Sequence, residues 1–306
     1  MGSRVRVPLR QPPTPPPAVT ALPASTTARL SALAIHPVKS CGALAVDSAE
    51  LVETGLDLDR TWMVVDAHGD MLTQRELPRM ALIRPSLRGG ELVLRAPGML
   101  ALHLKPDTVE APTRVQVWDD VLKAWDMGAL AAQWFSDFLG RPLRLARFDP
   151  DEERTSSAKW TGDVKALNTF SDGYPLLVAN AASLADLNTR LAAAGHAPAD
   201  LARFRPNLVL EGLQPWDEDH LHEIDIATEG GTVTLRLVKP CVRCSMPDVD
   251  PATAETGTAV AQALAGFRAD PRLNGGLTFG MNAVVVQGFG LTLRTGQAVA
   301  LRHAFD

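Results

Sequence analysis

From Arg29 onward the chain is a succession of short apolar runs, each cut off by Gly, Pro or Asp. This punctuation limits the fold more than any other feature, because such runs are too short for helices and suit strands that bury one face. Leu30, Leu33 and Ile35 predict a strand that ends at Pro37, since proline cannot donate to a ladder. Trp62-Met63-Val64-Val65, the turn Asp66-Ala67-His68-Gly69 and the resumption at Met71-Leu72-Thr73 predict a hairpin. Further strands are expected at residues 91–95, 99–104 and 115–118, and no helical period appears before Asp126. Many short strands with turn punctuation indicate a barrel or sandwich.

Helical spacing enters only later. Leu130, Ala131, Trp134, Phe135 and Phe138 share one face, and Gly140-Arg141-Pro142 stops the run. Leu184, Leu187 and Leu191 form a second stripe, with Ser183 expected as its cap and Gly195 as its left-handed terminator. Val260, Ala263, Leu264 and Phe267 predict a third helix over 258–267. Strands are expected at 208–210, 232–238, 283–286 and 298–301. With no repeat and no βαβ alternation, a doubly wound nucleotide-binding fold is not expected. The reading is mainly β with some helices, an α+β chain.

Charge and composition exclude several function classes. A formal net charge of -5 disfavours broad attraction to nucleic acid or an anionic membrane, so any anion site must be local. Pro12, Pro13, Pro15, Pro16 and Pro17 preclude a helix or central strand, and 1–28 is expected as a disordered leader. No apolar run is long enough for a signal-peptide core or a membrane span. Three cysteines, Cys41, Cys241 and Cys244, argue against a disulfide scaffold and for a reducing, cytoplasmic setting.

The sharpest local feature is Lys239-Pro240-Cys241-Val242-Arg243-Cys244, placed just after a strand expected to end at Val238. Structural zinc requires four ligands, and one Cys pair with distant His220 and His222 does not supply them. A thioredoxin-like dithiol requires a following helix, which Pro247 and its flanking aspartates do not suggest. Two readings stay open from the residues alone: a pair of buried cysteines acting as small hydrophobes, and a single thiolate that ligates a soft or high-valent metal. Lys239 and Arg243 supply positive charge that favours a thiolate. No Gly-x-Ser-x-Gly elbow, P-loop or His-Glu-x-x-His is present.

This segment resembles the cysteine signature of the MOSC family. Ile35-His36-Pro37-Val38-Lys39-Ser40, Gly55 through Arg60-Thr61-Trp62, Thr73-Gln74-Arg75 with Pro78-Arg79, Phe204-Arg205-Pro206-Asn207 and Phe279-Gly280 resemble further motifs of that family, in order. The arrangement is similar to the mitochondrial amidoxime-reducing components and their bacterial relatives. The resemblance implies an N-terminal MOSC β-barrel domain over 29–150 and a MOSC domain over 151–306, with a cofactor cleft between them. It implies molybdenum cofactor (Mo-molybdopterin) and reduction of small N-hydroxylated compounds by N–O bond cleavage. Neither a membrane anchor nor a ferredoxin domain is recognised, so electrons are expected from a separate donor protein of ferredoxin, flavin or cytochrome type. Nucleic acid and membrane are not expected partners. The pyridoxal phosphate label attached to the family finds no assigned residue here.

The resemblance also assigns residues. Cys244 aligns with the molybdenum ligand and Cys241 with a neighbour that is not one. Lys39, Ser40, Arg60 and Arg205 are expected to hold the cofactor phosphate or pterin, with Gly173, Tyr174, Val242 and Arg243 lining the cofactor. Asn207 is expected to orient substrate or cofactor, Asp172 to assist, and Cys41 to be a buried structural thiol. A Cys244 persulfide acting as sulfur carrier and a non-catalytic cofactor-binding protein remain the alternatives.

Overall fold

The computed structural model describes residues 27–304, so the expected leader lies outside them as far as residue 26. Seven strands form a closed ring: β1 (Thr27–Ile35), β2 (Leu176–Asn180), β3 (Leu208–Glu211), β4 (Leu221–Thr228), β5 (Gly231–Val242), β6 (Gly276–Gln287) and β7 (Ala298–His303). The order around the ring is β2-β3-β1-β7-β4-β5-β6, and β6 pairs back onto β2. Inward positions alternate as the pleat requires: Leu33 and Ile35, Ile224 and Ile226, Val233, Leu235 and Leu237, and Met281, Ala283 and Val285.

An odd ring cannot be antiparallel throughout, because strand direction cannot alternate around seven members. The parallel pair is β2 with β3, Val178 opposite Leu208. Parallel neighbours need a long crossover. Four α-helices occur among the described residues: α1 (Ala129–Leu139), α2 (Ala158–Thr161), α3 (Ala181–Ala193) and α4 (Ala259–Ala265). The crossover is α3, so one βαβ unit exists where the sequence suggested none. Its cap is also corrected. The Asn180 side chain accepts from Ala182 N, whereas Ser183 is buried inside the helix and donates to Glu218.

A second body is built from the residues between β1 and β2. Its four-stranded antiparallel sheet runs Trp62–Val65, Arg144–Phe148, Asp120–Asp126, Ala111–Val117. A three-stranded meander, Arg84–Arg88, Glu91–Arg95 and Leu102–Leu104, packs with α1 through Met80, Leu92, Leu94, Trp134, Phe135 and Phe138. The hairpin expected over 62–73 is present but short: Val65 bridges Met71, Asp66 N donates to the Asp70 carbonyl and Leu72 N to the Val64 carbonyl, while the other edge of Trp62–Val65 pairs with Arg144–Phe148. The strand expected at 99–104 begins only at Leu102.

The two bodies are not consecutive in sequence. β1 is a barrel strand between β3 and β7, and Ser48–Val52 pairs with Thr292–Arg294. The chain therefore starts in the barrel, stays against it through Leu44–Val46 and Ser48–Val52, then builds the second body and returns. No helix among the described residues is long and apolar enough to cross a membrane.

Gly280 shows how tightly the ring closes. Its φ is +73°, and a Cβ there would lie 2.7 Å from the Val178 carbonyl oxygen on the neighbouring β2. Gly280→Ala meets both a left-handed backbone and a backbone clash, so we expect a loss of about 2 kcal/mol or more in urea denaturation.

Candidate functional site

The junction between the bodies carries a cleft of about 230 Å³. Lys39, Ser40, Arg60, Gly173, Tyr174, Arg205, Asn207, Val242, Arg243 and Cys244 all line it, so the expected residues converge although they span more than 200 positions of sequence. Six cationic side chains line the cleft (Lys39, Arg60, Arg75, Arg205, Lys239, Arg243) against one carboxylate, Asp172. In a chain of net charge -5 this is a local reversal of sign, and it makes the cleft a site for anions.

The cysteine segment departs from expectation in its backbone. β5 does not stop at Val238 but continues to Val242, with register shifts against β6 on both sides of Pro240. Bulges are where a strand tolerates proline, and here they turn Lys239, Cys241 and Val242 toward the cleft. Cys241 is half-buried, and Arg243 Nη1 donates to its sulfur at 2.9 Å. Cys244, just beyond the strand, is exposed in the cleft wall. That removes the reading of two buried hydrophobic thiols. All three cysteines are free, and only a single 3-10 turn, Met246–Asp248, follows. Cys41 is fully buried, and burial pushes its thiol up to about 12.

Lys39 is held inside the wall, its side chain 6% exposed, donating to the Phe170 carbonyl at 2.8 Å and to Asp172. Burial pushes its pKa down while Asp172 pulls it back. Asp172 faces the cleft mouth. Desolvation opposes its charge, but the Lys39 ammonium, the Lys39 hydrogen bond, Arg60 and the Trp118 indole N–H outweigh this and keep the carboxyl well below its ordinary range. Tyr174 is pushed up to about 12 by burial and stays neutral.

Arg205 is buried, and burial together with repulsion from Arg60 lowers its pKa to about 10, which leaves it charged at neutral pH. Its Nη1 donates to the Cys41 carbonyl at 2.5 Å, and its Nη2 has no protein partner. A buried, charged donor without an acceptor is costly, so Arg205 marks a place where a bound anion would complete the site. Arg60 is more committed. It pairs with Asp59 and donates to Asn207 Oδ1 at 3.1 Å and the Arg205 carbonyl at 3.2 Å.

Asn207 lines the cleft and is held by bonds to three segments. Its Oδ1 accepts from Arg60 and from Leu177 N, and its Nδ2 donates to the Ala34 carbonyl at 3.2 Å. The side chain is 1% exposed and spans β1, β2 and Arg60. Its carbonyl oxygen already accepts two bonds, so the second Nδ2–H is what it can offer a ligand. Phe204 and Phe279, which bound two of the motifs, stack with centroids 3.8 Å apart and support the turn that carries Arg205.

Among the described residues eight non-glycine residues have positive φ, and four of them line the cleft: Ser40, Arg60, Trp118 and Arg205. Such conformations persist only where surrounding structure enforces them, and they cluster at binding and catalytic sites. Sequence reasoning missed Trp118, because it was assigned to a strand end rather than a tight turn. The Thr73-Gln74-Arg75 motif likewise does not show that Arg75 reaches the cleft, and nothing near Arg154 marks it. Arg154 is buried, pairs with Asp120 at 2.7 Å and donates to the Thr169 and Ser171 carbonyls, which fixes the loop bearing Asp172. A buried arginine bonding to carbonyls leaves no local sequence signal.

A family model described as the MOSC N-terminal beta barrel domain matches residues 27–142, and one described as the MOSC domain matches 166–300. The chain is 36% identical over 229 residues to Mitochondrial amidoxime-reducing component 1 of Homo sapiens, covering 72% of this chain and 65% of that protein. It is 34% identical over 234 residues to Mitochondrial amidoxime reducing component 2 of Bos taurus, covering 73% and 67%. It is 29% identical over 263 residues to Molybdenum cofactor sulfurase of Homo sapiens, covering 80% of this chain and 29% of that protein. The chain thus spans about two thirds of the length of the amidoxime-reducing relatives.

His36 reports on the junction. It is fully buried beneath the two arginines, and desolvation, then Arg205 and Arg60, hold its pKa well below the usual value. The folded state keeps it neutral while the unfolded chain takes a proton as pH falls through about 6.5. Stability present above that pH is therefore lost below it, by up to about 1.4 kcal/mol per pH unit. Urea denaturation at pH 7 and pH 5 should show a smaller drop in His36→Gln than in the parent chain. Equal drops would show that His36 does not carry this linkage.

Proposed function

The chain belongs to the MOSC family, and on that premise we propose that its cleft is the active site of a molybdenum-cofactor-dependent reductase of N-hydroxylated compounds. The observation that carries the reading is Cys244: an exposed thiol in a cleft lined by six cations and one carboxylate. Among the described residues no group of three or more His, Cys, Asp or Glu converges to hold a metal. One thiolate does not retain a metal ion by itself, so the remaining donors must arrive with the metal on a bound group. An anionic cofactor suits that requirement. The donor set fits it: a thiolate from Cys244, the unpartnered Arg205 Nη2, and cations that match a phosphate.

In this reading the cofactor supplies the two-electron chemistry that cleaves the N–O bond. The protein's residues bind and orient. Lys39, Arg205 and Ser40 hold the phosphate end, while Arg60 and Asn207 keep the turn at Arg205 in place. Gly173 and Tyr174 face the cofactor from the loop before β2, and nothing lies within 4 Å of where a Cβ on Gly173 would project. Cys244 fixes the metal end, flanked by Val242 and Arg243. Electrons come from a separate donor protein. The free cysteines suit a reducing compartment, and the cytoplasm is the location we propose.

The test uses protein from a molybdenum-replete host. Elemental analysis of the parent chain should show stoichiometric molybdenum, and the loaded protein should reduce an aryl amidoxime with a low-potential dye as electron source. Cys244→Ser should lose both, whereas Cys241→Ser should keep most of the metal. Metal and activity retained in Cys244→Ser would reassign the ligand. A Cys244 persulfide without molybdenum, seen by mass spectrometry, would instead favour sulfur transfer. Arg205→Ala should lower molybdenum occupancy about tenfold or more, in line with the 1.5–3 kcal/mol typical of a hydrogen bond to a charged group.

A further inference from the structure

Trp118 sits where a two-residue hairpin turn joins Ala111–Val117 to Asp120–Asp126, with Val117 opposite Asp120. Its φ is +55° and it is 42% exposed. Such turns favour Asn or Gly at left-handed positions, and a bulky aromatic is disfavoured there. Nothing in the hairpin needs an indole at this place. The residue lines the cleft, as Cys244 does.

Two contacts from other segments set its orientation, and one ion pair braces its turn. Arg75 lies over one ring face, its guanidinium carbon 4.7 Å from the centroid. The indole N–H donates to Asp172 Oδ1 at 3.3 Å. At the base of the turn, Asp120 is held by Arg154, which also grips the loop carrying Asp172. The Arg75 guanidinium covers one face of the indole, its edge is tethered to Asp172, and the rest of the ring, part of the cleft lining, stays accessible. Among the lining side chains the indole offers a flat aromatic surface beside the charged groups of Arg75 and Asp172.

We propose that Trp118 is a specificity-determining residue whose accessible ring surface stacks on planar, conjugated N-hydroxy substrates and favours them over aliphatic ones. This rests on the reductase reading and names its substrate class. Stacking against an aromatic face contributes enough to change binding about tenfold, and the pinned indole loses little freedom on binding. Arg154 and Arg75 serve as positioning residues for it.

The experiment compares the parent chain with Trp118→Asn and Trp118→Phe. Oxidised protein without a reductant does not turn over, so the Kd values of benzamidoxime and of acetamidoxime, which has the same reacting group without a ring, are measured directly by calorimetry. The preference for benzamidoxime should fall about tenfold in Trp118→Asn and largely return in Trp118→Phe. With reductant present, the loss should appear in KM rather than kcat. Trp118→Asn should melt at or above the parent temperature, because Asn adopts the left-handed turn more readily. An unchanged preference overturns the proposal, as does an equal weakening of both ligands with a lowered melting temperature, which is the mark of a structural role. A flat preference in a chain that holds molybdenum and turns over sinks the stacking role alone. A chain without molybdenum sinks the reductase reading, while the Kd ratio still judges Trp118.

Discussion

Two guanidinium groups, those of Arg60 and Arg205, are packed side by side at the junction of the two bodies, and the surrounding structure is arranged to tolerate them. Asp59 pairs with Arg60 and also accepts from His36 N at 2.6 Å. Asn207 accepts from Arg60, and the Arg205 carbonyl takes a second Arg60 donor. His36 stays uncharged beneath them, its Nε2 beside the Pro206 carbonyl at 3.3 Å. Removing one partner from such a buried set leaves an uncompensated charge, which costs about 3–5 kcal/mol. The same bonds tie the turn after β1 to the turn before β3, so the network that neutralises the arginines also holds the bodies in register.

What remains unneutralised is what makes the cleft chemically specific. Arg205 keeps a buried donor without a protein acceptor, and six cations face a single carboxylate that is itself engaged with Lys39. The backbone carries a matching signature, since Ser40, Arg60, Trp118 and Arg205 adopt left-handed conformations disfavoured for their residue types. Burial, unsatisfied charge and conformational strain coincide at this junction. Such coincidence is expected where structure has been held for binding rather than for stability.

Much of the local structure was legible because it follows from short-range rules. The apolar alternation of Val233, Leu235 and Leu237 and the stripe of Leu187 and Leu191 were read from period alone, and both are buried as that period demands. The proline in β5 misled the reading of that strand's end, since a bulge admits proline into a ladder and no sequence signal announces the bulge. Ser183 misled as a cap because Asn180, also a good cap, lies three residues earlier and Ser183 was recruited to buried Glu218 instead. Asn207 was legible as a motif residue but not as a structural one, because its three bonds come from β1, β2 and Arg60.

The sequence by itself determined the β-rich class, the helix periods, the family motifs and the residue types available for chemistry, because each depends on neighbours a few positions away. Only the tertiary structure decided which of those residues meet. Closing seven strands into a ring required one parallel pair, placed β1 among strands more than 170 residues later, and thereby brought Lys39 and Arg60 against Arg205 and Cys244. It also decided which charges would be satisfied and which left open, since that depends on distances between segments that no local pattern encodes.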